Sequence, residues 1–213
     1  ITTDSDIVTE IASRLAKKCG SIVFPTISYG NSLEHMPLFF AGVSKEQLSG
    51  QLLGIISSVA MNSKIKSIII LNGHHGNKDV VETMEMFFTY PKLIHTKEQI
   101  EKRIHSFMPG MKVKSYSYWN FMKREFDHAG FVETSIMLAI SDKVKMKKAK
   151  KGFTTKGLSD KEIQRINKLS TQQGGFPKVA KNGVWGDPTG ATKKDGEKFF
   201  AEIVRNLAKE CQS

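Results

Sequence analysis

Apolar residues along this chain recur with two spacings, and each spacing predicts a different element. Positions repeated every three or four residues predict amphipathic helices, whereas short unbroken apolar runs between turn residues predict buried strands. The helical spacing is found at residues 5–18, 44–61, 129–140 and 191–210, and in a segment that follows Asn77 and runs through Phe88. Strands are predicted at residues 21–24, 66–71 and 111–119.

Residues beside these segments mark several of their predicted ends. Gly20 follows the first helix and stops it, and Pro25 ends the strand at 21–24 because proline has no N–H to donate. Ser44 is expected to cap the second helix, with Glu46 and Gln47 in its first turn. Local chemistry therefore predicts where the first three elements begin and end.

Strands alternate with helices along the chain, which is typical of an α/β fold with a mostly parallel sheet. The unbroken apolar run at 68–71 indicates a strand that is covered on both faces. Residues 143–188 are rich in lysine, glycine and polar side chains and are predicted to form loops and short helices. Neither a repeat nor a second domain is evident, so residues 1–213 are predicted to be a single domain.

Composition excludes several classes of protein. The chain has 213 residues, of which 39% are hydrophobic and 25% charged, as expected for a globular domain with a sizeable core. No stretch approaches the roughly 20 consecutive apolar residues that span a bilayer, and no signal peptide opens the sequence. The two cysteines, Cys19 and Cys211, are too few for a disulfide framework. The expected compartment is therefore the reducing cytoplasm.

The net charge of +11 favours an anionic partner, either nucleic acid or a small anionic substrate. Much of the excess positive charge lies in one stretch, K-V-K-M-K-K-A-K-K-G at residues 143–152. A solvated, mobile lysine segment is the favoured interpretation of this stretch over a nucleic-acid-binding patch. No zinc-finger spacing or RNP-like aromatic motif accompanies it, so nucleic acid is not the expected partner.

Residues able to do chemistry lie at the predicted carboxyl ends of the strands. The sequence I-I-I-L-N-G-H-H-G-N at 68–77 places His74 and His75 directly after one strand, and Tyr118 and Trp119 end another. Residues 25–35 follow the third. Because ligands of open α/β sheets bind beyond the carboxyl ends of the strands, these loops are predicted to converge on one rim.

A group of histidines and carboxylates indicates a metal site. Neutral imidazole and carboxylate are the usual ligands of Zn, Mn and Fe in hydrolytic sites. Such ions polarise an amide carbonyl and generate hydroxide near neutral pH, and a nearby histidine can protonate the leaving nitrogen. Taken singly, each of these residues can equally be a turn or capping residue. The candidates are Asp4, His35, His74, His75, Asp127, His128 and Glu133.

Four motifs, in the same order along the chain, resemble those of the creatininase family of metal-dependent amidohydrolases. N-G-H-H-G-N at 72–77 is similar to the family's N-G-H-G-G-N, and D-H-A-G-F-V-E-T-S at 127–135 is similar to its H-A-G-x-x-E-T-S. The other two are P-T-I-S-Y-G-N-S-L-E-H at 25–35 and G-V-W-G-D-P-T-G-A-T at 183–192. The resemblance implies a three-layer α/β/α creatininase-like fold with a mostly parallel central sheet.

The resemblance also implies two divalent transition-metal ions, Zn, Mn or Fe, as cofactors. Asp4 ends I-T-T-D, which is similar to the end of the family's H-L-P-x-x-T-D motif, and so it matches the aspartate that bridges the two metals. His74 matches the family's histidine ligand. Glu133 matches the Glu of E-T-S and is the expected carboxylate of the second metal.

The remaining ligands of the family belong to a Glu-x-His motif, which is expected before Ile1. This chain is therefore expected to hold only part of the metal site. Glu34 and His35 match the later S-x-E-H motif instead. They are expected near the site and are not assigned as ligands.

Catalytic and substrate-binding roles are implied in the same way. His128 matches the histidine suggested to transfer a proton, and Glu133 is assigned with it to catalysis. His75 stands where most members have Gly, and it is expected to contact substrate together with Trp119 and Asp127. From the residues alone, Glu133 can instead cap a helix and Trp119 can belong to the core. Asp127 can orient His128 through its ring N–H or merely sit in the turn.

The family contains creatinine amidohydrolases, a peptidase that trims the mycofactocin precursor and an archaeal formamide hydrolase. His75 and Gly76 replace a Tyr and a Glu of creatininase, which counts against creatinine as substrate. Compact length and basic charge favour the formamide hydrolase, which acts on a formylamino-ribosylaminopyrimidine phosphate in riboflavin and deazaflavin coenzyme biosynthesis. Lys78 or Arg124 is the expected partner of that phosphate. A creatininase-type cyclic-amide hydrolase is the second interpretation.

An interpretation from a different class is a non-catalytic binding or assembly module, with residues 143–152 as a basic surface for RNA or acidic partners. Metal content separates the two interpretations, because the hydrolase needs its two ions. Similar proteins form homo-oligomers. The resemblance therefore implies a homo-oligomer that acts on a small-molecule amide, with no membrane partner.

Overall fold

A computed structural model describes residues 2–90 and 111–211 of the chain. The helices are α1 (Thr3–Cys19), α2 (Lys45–Asn62), α3 (Lys78–Thr89), α4 (Phe131–Ile140), α5 (Asp160–Ser170), α6 (Phe176–Val179) and α7 (Lys193–Glu210). The strands are β1 (Ser67–Asn72) and β2 (Lys112–Ser117). Helices and a parallel pair of strands confirm the predicted α/β class. Among the described helices, none combines the length and apolar character that crossing a membrane requires.

The described residues fall into two compact units. Unit 1 comprises those within Ile1–Ser28, Ser32–Ala41 and Tyr118–Ser213, and unit 2 comprises those within Tyr29–Asn31 and Gly42–Ser117. Unit 1 contains α1 and α4 to α7, whereas unit 2 contains both strands with α2 and α3. The single domain over residues 1–213 stays a prediction.

The sheet of unit 2 is a parallel pair in which Ser67 lies opposite Lys112 and Asn72 lies opposite Ser117. Helix α3 follows β1 and packs on β2, as a strand–helix–strand crossover requires. Val113 of β2 is fully buried. The predicted strand–turn–helix unit around the two histidines is therefore confirmed.

Helix α3 also satisfies the outer edge of β2 with side chains. The backbone N–H of Val113 donates to Thr89 Oγ1 at 3.1 Å, and that of Ser115 donates to Glu85 Oε2 at 2.9 Å. Thr89 and Glu85 are four residues apart and therefore share one helical face. These bonds occupy strand N–H groups that would otherwise be open to pairing with another chain.

The core of unit 1 lies between α1, α4 and α7, which pack against one another. Each helix contributes apolar side chains at helical spacing, and burying one such side chain stabilises the fold by about 1.5–3 kcal/mol. The fully or almost fully buried ones are Ile7, Ile11, Val132, Ile136, Phe200, Ile203 and Leu207. The predicted apolar face of the first helix is part of this core.

Helices α4 and α7 approach closely at Gly196, where a Cβ atom would overlap with the carbonyl oxygen of Ser135. We expect Gly196→Ala to lower the free energy of unfolding by about 1–3 kcal/mol or more, because backbone cannot move aside as a flexible side chain can. Urea unfolding followed by circular dichroism measures this change.

Gly54→Ala is the matched control, because Gly54 is exposed in the interior of α2 and a Cβ atom there meets nothing within 4 Å. Alanine costs less backbone entropy than glycine in a helix, so we expect this variant to gain about 0.5–1 kcal/mol. Equal effects of the two substitutions would contradict the close packing at Gly196.

The predicted end of the first helix and the predicted start of the second are confirmed. Gly20 adopts a left-handed conformation (φ 65°) directly after α1, which a residue without Cβ does at little cost. Ser44 and Gln47 form a capping box: the Gln47 N–H donates to Ser44 Oγ, and the Ser44 N–H donates to Gln47 Oε1. Within the region predicted as loops and short helices, Ser159 caps α5 in the same way.

The strand predicted at residues 21–24 is wrong. These residues form no regular element, and Ile22 is 76% exposed. A strand requires a hydrogen-bonded neighbouring strand, and no described strand pairs with this run; the N–H of Ser21 donates instead to the carbonyl of Ala16 in α1. Its apolar composition alone could not supply that partner.

Candidate active site

The turn before helix α4 is organised by the carboxylate of Asp127. Its Oδ2 accepts the N–H of Val132 at 2.9 Å, and its Oδ1 accepts the N–H of Glu133 at 3.1 Å. The first N–H groups of a helix have no partner within it, so this carboxylate caps α4. Gly130 lies against this carboxylate, and a Cβ atom at Gly130 would collide with the side chain of Asp127. Burial raises the pKa of Asp127, although these two hydrogen bonds favour its charged form.

Glu133 places a carboxylate at the same turn and is only 4% exposed. Its Oε2 accepts the N–H of Ala129 at 2.6 Å, and Ala129 is held in the left-handed region (φ 51°). Such a conformation is uncommon for alanine and costs free energy that the surrounding bonds must offset. Glu133 therefore has a structural role, because its carboxylate holds the turn that leads into its own helix.

His128 precedes Ala129 and is fixed through its backbone. Its N–H donates to the carbonyl of Trp185 at 3.0 Å, and the N–H of Trp185 donates back at 2.8 Å. The imidazole packs 4.6 Å from the Phe176 ring and 5.2 Å from the imidazole of His35, measured between ring centroids. Backbone and ring contacts together restrict where His128 can present its nitrogens.

The pair Glu34 and His35 lies in the same unit. Glu34 Oε1 is 3.5 Å from His35 Nε2, and the ring of His35 also meets Phe176 at 4.9 Å. Both side chains are largely buried. The motif match predicted a position near the site without a ligand role, and unit 1 does bring His35 next to the ring of His128.

Tyr118 belongs to this site, although no role was predicted for it from its sequence position. It is fully buried, and its hydroxyl has no hydrogen-bond partner among the described residues. Burial raises its pKa well above 10.0, and the negative charges of Glu133, Asp4 and Asp127 raise it further. A buried hydroxyl without a protein partner is rare, which makes Tyr118 a candidate to bond a water or a ligand. The only signal in the sequence was the position of Tyr118 at the end of a strand, before Trp119.

Trp119 is half-buried and packs against aromatic neighbours. Its ring centroid lies 5.4 Å from that of Tyr118 and 5.1 Å from that of Phe126. The alternatives for Trp119 were a pocket wall and the core. The ring contacts give it a packing role, and its remaining exposed surface leaves the substrate-binding role as a prediction.

In unit 2, His74 lies two residues after the end of β1, and hydrogen bonds hold both its backbone and its ring. Its backbone N–H donates to Asn72 Oδ1 at 3.0 Å, and its Nε2 lies 3.0 Å from the carbonyl oxygen of Asn31. A carbonyl can only accept, so Nε2 carries the proton in this bond and the lone pair of the ring is on Nδ1. A histidine ligand oriented by a second hydrogen bond is the usual arrangement at metal sites.

His75 differs from its neighbour, because it is exposed and begins a short 3-10 turn, His75–Asn77. The side chain of Asn77 folds back, and its Oδ1 accepts the N–H of Asn31 at 2.9 Å. Gly30 is required there because a Cβ atom would collide with Asn77. The loop thus holds His74 among hydrogen bonds and presents His75 to solvent.

The structure distributes the predicted site residues between its units. Unit 1 holds Asp4, Trp119, Asp127, His128 and Glu133, and unit 2 holds His74 and His75. Within unit 1, Asp127, His128 and Glu133 lie at the turn that leads into α4. That all of these loops share one rim stays a prediction.

The two cations predicted to hold a phosphate both have other contacts. Lys78 Nζ is 3.8 Å from Glu82 Oε1, one helical turn along α3. The guanidinium of Arg124 lies 4.3 Å from the ring centroid of Phe131, and its charge favours the ionised form of Asp127. Their role as phosphate partners stays a prediction.

Comparison with known proteins decides the family. The creatininase family model, described as creatinine amidohydrolase, matches residues 1–211. The chain belongs to the creatininase family. Mycofactocin precursor peptide peptidase of Mycolicibacterium smegmatis is 27% identical to it over 212 residues, which cover 97% of this chain and 75% of that protein. The same peptidase of Mycobacterium ulcerans is 28% identical over 95% of this chain and 74% of its own.

Solved creatininase structures share the fold. A creatininase variant complexed with creatine superposes with a TM-score of 0.73 at 19% identity, over all of this chain and 84% of the other. A Zn-Zn creatininase variant and an Mn creatininase superpose with TM-scores of 0.71 and 0.69, each over 96% of this chain and 80% of the other, at 20% and 19% identity. The predicted creatininase-like α/β fold is thereby confirmed. As a member of the creatininase family, the chain is a metal-binding hydrolase of amide bonds.

The cap formed by Asp127 can be tested without an assay of activity. Asp127→Ala leaves two N–H groups of α4 without their acceptor, and we expect a loss of about 0.5–2 kcal/mol in the free energy of unfolding. Asp127→Asn retains one acceptor oxygen and should lose less. Urea unfolding measures both. Asp160→Ala is the control, because Asp160 is exposed in the first turn of α5, and a change within about 0.5 kcal/mol is expected. Equal losses at Asp127 and Asp160 would contradict the capping role.

Proposed function

We propose that this chain is a metal-dependent hydrolase of a small non-peptide amide. One observation carries the proposal: the carboxylates of Asp127 and Glu133, the latter only 4% exposed, are both held by hydrogen bonds at the turn that carries His128. Concentrated negative charge in a buried place favours a divalent cation. The donor set fits Zn, Mn or Fe, since it combines carboxylates with imidazole.

The ligands proposed for two ions are Asp4, His74 and Glu133. This assignment follows the positions of these residues in the family motifs, and the Nδ1 lone pair of His74 agrees with it. Bound ions supply Lewis-acid chemistry, which activates water and polarises the amide carbonyl. Ala129 supports Glu133 in this role, because its N–H already fixes one carboxylate oxygen.

His128 is proposed to carry the proton of the reaction. Hydrolysis adds water oxygen to the amide carbon and breaks the C–N bond, so the leaving nitrogen needs a proton. Paired through its backbone with Trp185, His128 can present a ring nitrogen to that leaving group. His75 and Trp119 are proposed to contact the substrate, since each keeps exposed surface. Asp127 is proposed to act there as well, from the same turn as His128.

The favoured substrate is a phosphorylated formamide, the formylamino-ribosylaminopyrimidine phosphate of riboflavin and deazaflavin coenzyme biosynthesis. The net charge of +11 suits a substrate with a phosphate group. A cyclic amide such as creatinine is less favoured, since His75 and Gly76 replace the residues that creatininase carries. A homo-oligomer and a cytoplasmic location are proposed with it.

A peptide substrate is the second candidate, and the names of the two mycobacterial relatives favour it. The exposed position of His75 is compatible with a longer substrate that extends out of the site. Under this alternative, the reaction and the role of His128 are unchanged. Only the group attached to the amide differs.

A substrate panel tests the proposal. The metal-loaded protein is given a formylaminopyrimidine ribose phosphate, creatinine and short peptides, and release of formate, creatine or free amine is followed. We expect kcat/KM for the formamide to exceed the others by about tenfold or more. Preferred cleavage of peptides would replace the first candidate by the second. No turnover of any amide would leave the non-catalytic binding module as the interpretation.

A further inference from the structure

Part of the exposed lysine stretch at 143–152 lines a cleft in unit 1. The cleft has a volume of 320 Å³, and three lysines are among the residues that line it. These lysines alternate with apolar residues along the stretch. The wall includes Lys145, Lys148, Lys150, Asn182, Thr134 and Ala129.

A tight turn gives the stretch its shape. Met146–Lys148 form a 3-10 turn, in which the N–H of Lys148 donates to the carbonyl of Lys145 at 2.8 Å. The N–H of Ala149 then donates to the carbonyl of Met146 at 2.9 Å. The turn brings lysines on both of its sides to the cleft, while Lys143, Lys147 and Lys151 are not part of its wall.

The charge of the cleft has no described counter-charge. Lys145, Lys148 and Lys150 are exposed, form no ion pair with a described residue, and no acidic side chain of the described ranges lines the cleft. Like charges beside one concave surface repel one another, and an anion bound between them would relieve that repulsion. Asn182 and Thr134 also line the cleft, and hydrogen bonds to neighbouring backbone groups fix both side chains.

The cleft is joined to the turn that carries His128. Ala129 and Thr134 both line the cleft. Ala129 lies in the turn before α4, and Thr134 lies near the start of that helix. The end of the lysine stretch is tied down by backbone bonds, from Gly152 N–H to the Gly186 carbonyl and from Phe153 N–H to the Val184 carbonyl, each 2.9 Å. Between these two lies Trp185, which pairs with His128.

We propose that this cleft binds the phosphate group of a small phosphorylated ligand. Its volume falls in the range of small-molecule sites, roughly 300–1,000 Å³, and lysine ammonium groups are common phosphate binders. A phosphate monoester carries up to two negative charges, which matches three lysines better than a single carboxylate does. Among residues 2–90 and 111–211, no aromatic side chain lines the cleft, although sites for single-stranded nucleic acid use aromatic rings to stack bases.

Binding of inorganic phosphate tests the site, with titration calorimetry on the intact protein at low and at moderate salt. The test variant replaces Lys145, Lys148 and Lys150 with glutamine. The matched control replaces Lys143, Lys147 and Lys151, so both variants lose the same charge from the same stretch. All six lysines are exposed, and thermal unfolding checks that both variants remain folded.

We expect the test variant to bind phosphate at least about tenfold more weakly than the native protein, with the control within about threefold. Equal weakening in both variants would mean a general effect of charge and would overturn the proposal. Absence of phosphate binding by the native protein would do the same. Binding of a 20-nucleotide single strand that displaces phosphate and weakens equally in both variants would also overturn it, in favour of a polyanion surface.

Kinetic measurements distinguish whether the bound phosphate group belongs to the substrate or to a separate ligand. If it belongs to the substrate, inorganic phosphate raises KM for a phosphorylated amide and not for an uncharged one. If it belongs to a separate ligand, neither KM rises in this way, and the site stands as a second binding site. This comparison alone rests on the proposed function, whereas the calorimetric result is independent of turnover.

Discussion

Substitution of His74 by alanine is expected to remove most of the transition metal from the protein. His74 lies two residues after β1. A hydrogen bond to Asn72 fixes its backbone, and one to Asn31 fixes its Nε2. We therefore propose that His74 binds the metal through its ring, whose orientation these bonds fix. Loss of an outer partner of a ligand costs about 10–100-fold in metal affinity, and loss of the ligand itself should cost more.

Elemental analysis after reconstitution with Zn, Mn or Fe measures this effect. The native protein, with all of its metal ligands present, is expected to bind nearly two equivalents of metal. The His74→Ala variant is expected to bind clearly fewer. His75→Ala is the matched control: the same substitution in the next residue, at an exposed position. It should retain the metal and raise KM. Equal metal content in the native protein and His74→Ala would refute the ligand role of His74.

The His128→Asn variant is expected to lose activity by about 10²–10⁴-fold in kcat, the usual contribution of a general acid or base. Its metal content and its stability should change little. The backbone bonds with Trp185 do not depend on the side chain, and the assigned metal ligands are other residues. A loss confined to kcat would therefore identify proton transfer.

The pH profile distinguishes this role from a structural one. If His128 donates the proton to the leaving nitrogen, the limb of the kcat profile that belongs to its titration disappears in the variant. Added imidazole should restore part of the activity. A variant with native kcat, or one whose lost activity tracks lost metal or lost stability, would contradict the assignment.

Several features of the fold were predictable because their causes are local. Gly20 ends α1 and Ser44 begins α2 through bonds to residues no more than four positions away. The strand before His74 and the helix after Asn77 follow from short apolar runs and helical spacing in the same way. The strand predicted at 21–24 failed for the opposite reason, because a strand depends on a neighbour that its own residues cannot supply.

The family motifs likewise located the candidate site, since each motif is a short run of adjacent residues. The motifs could not reveal that Asp127 caps α4 with both oxygens, or that Glu133 holds Ala129 in its left-handed conformation. These bonds depend on how the turn closes. They show that the same carboxylates proposed for chemistry also build the turn that presents them.

The sequence by itself thus determined the end of α1, the start of α2 and the strand–turn–helix unit around the two histidines, and it named the candidate site residues. Each of these follows from residues that are neighbours along the chain. Tertiary structure alone decided that Tyr118 is buried with its hydroxyl unpaired among the described residues, that Gly196 admits a neighbouring helix, and that the lysine stretch borders a cleft. Burial, close approach and cavities arise between segments far apart in sequence, and no local pattern encodes which segments meet.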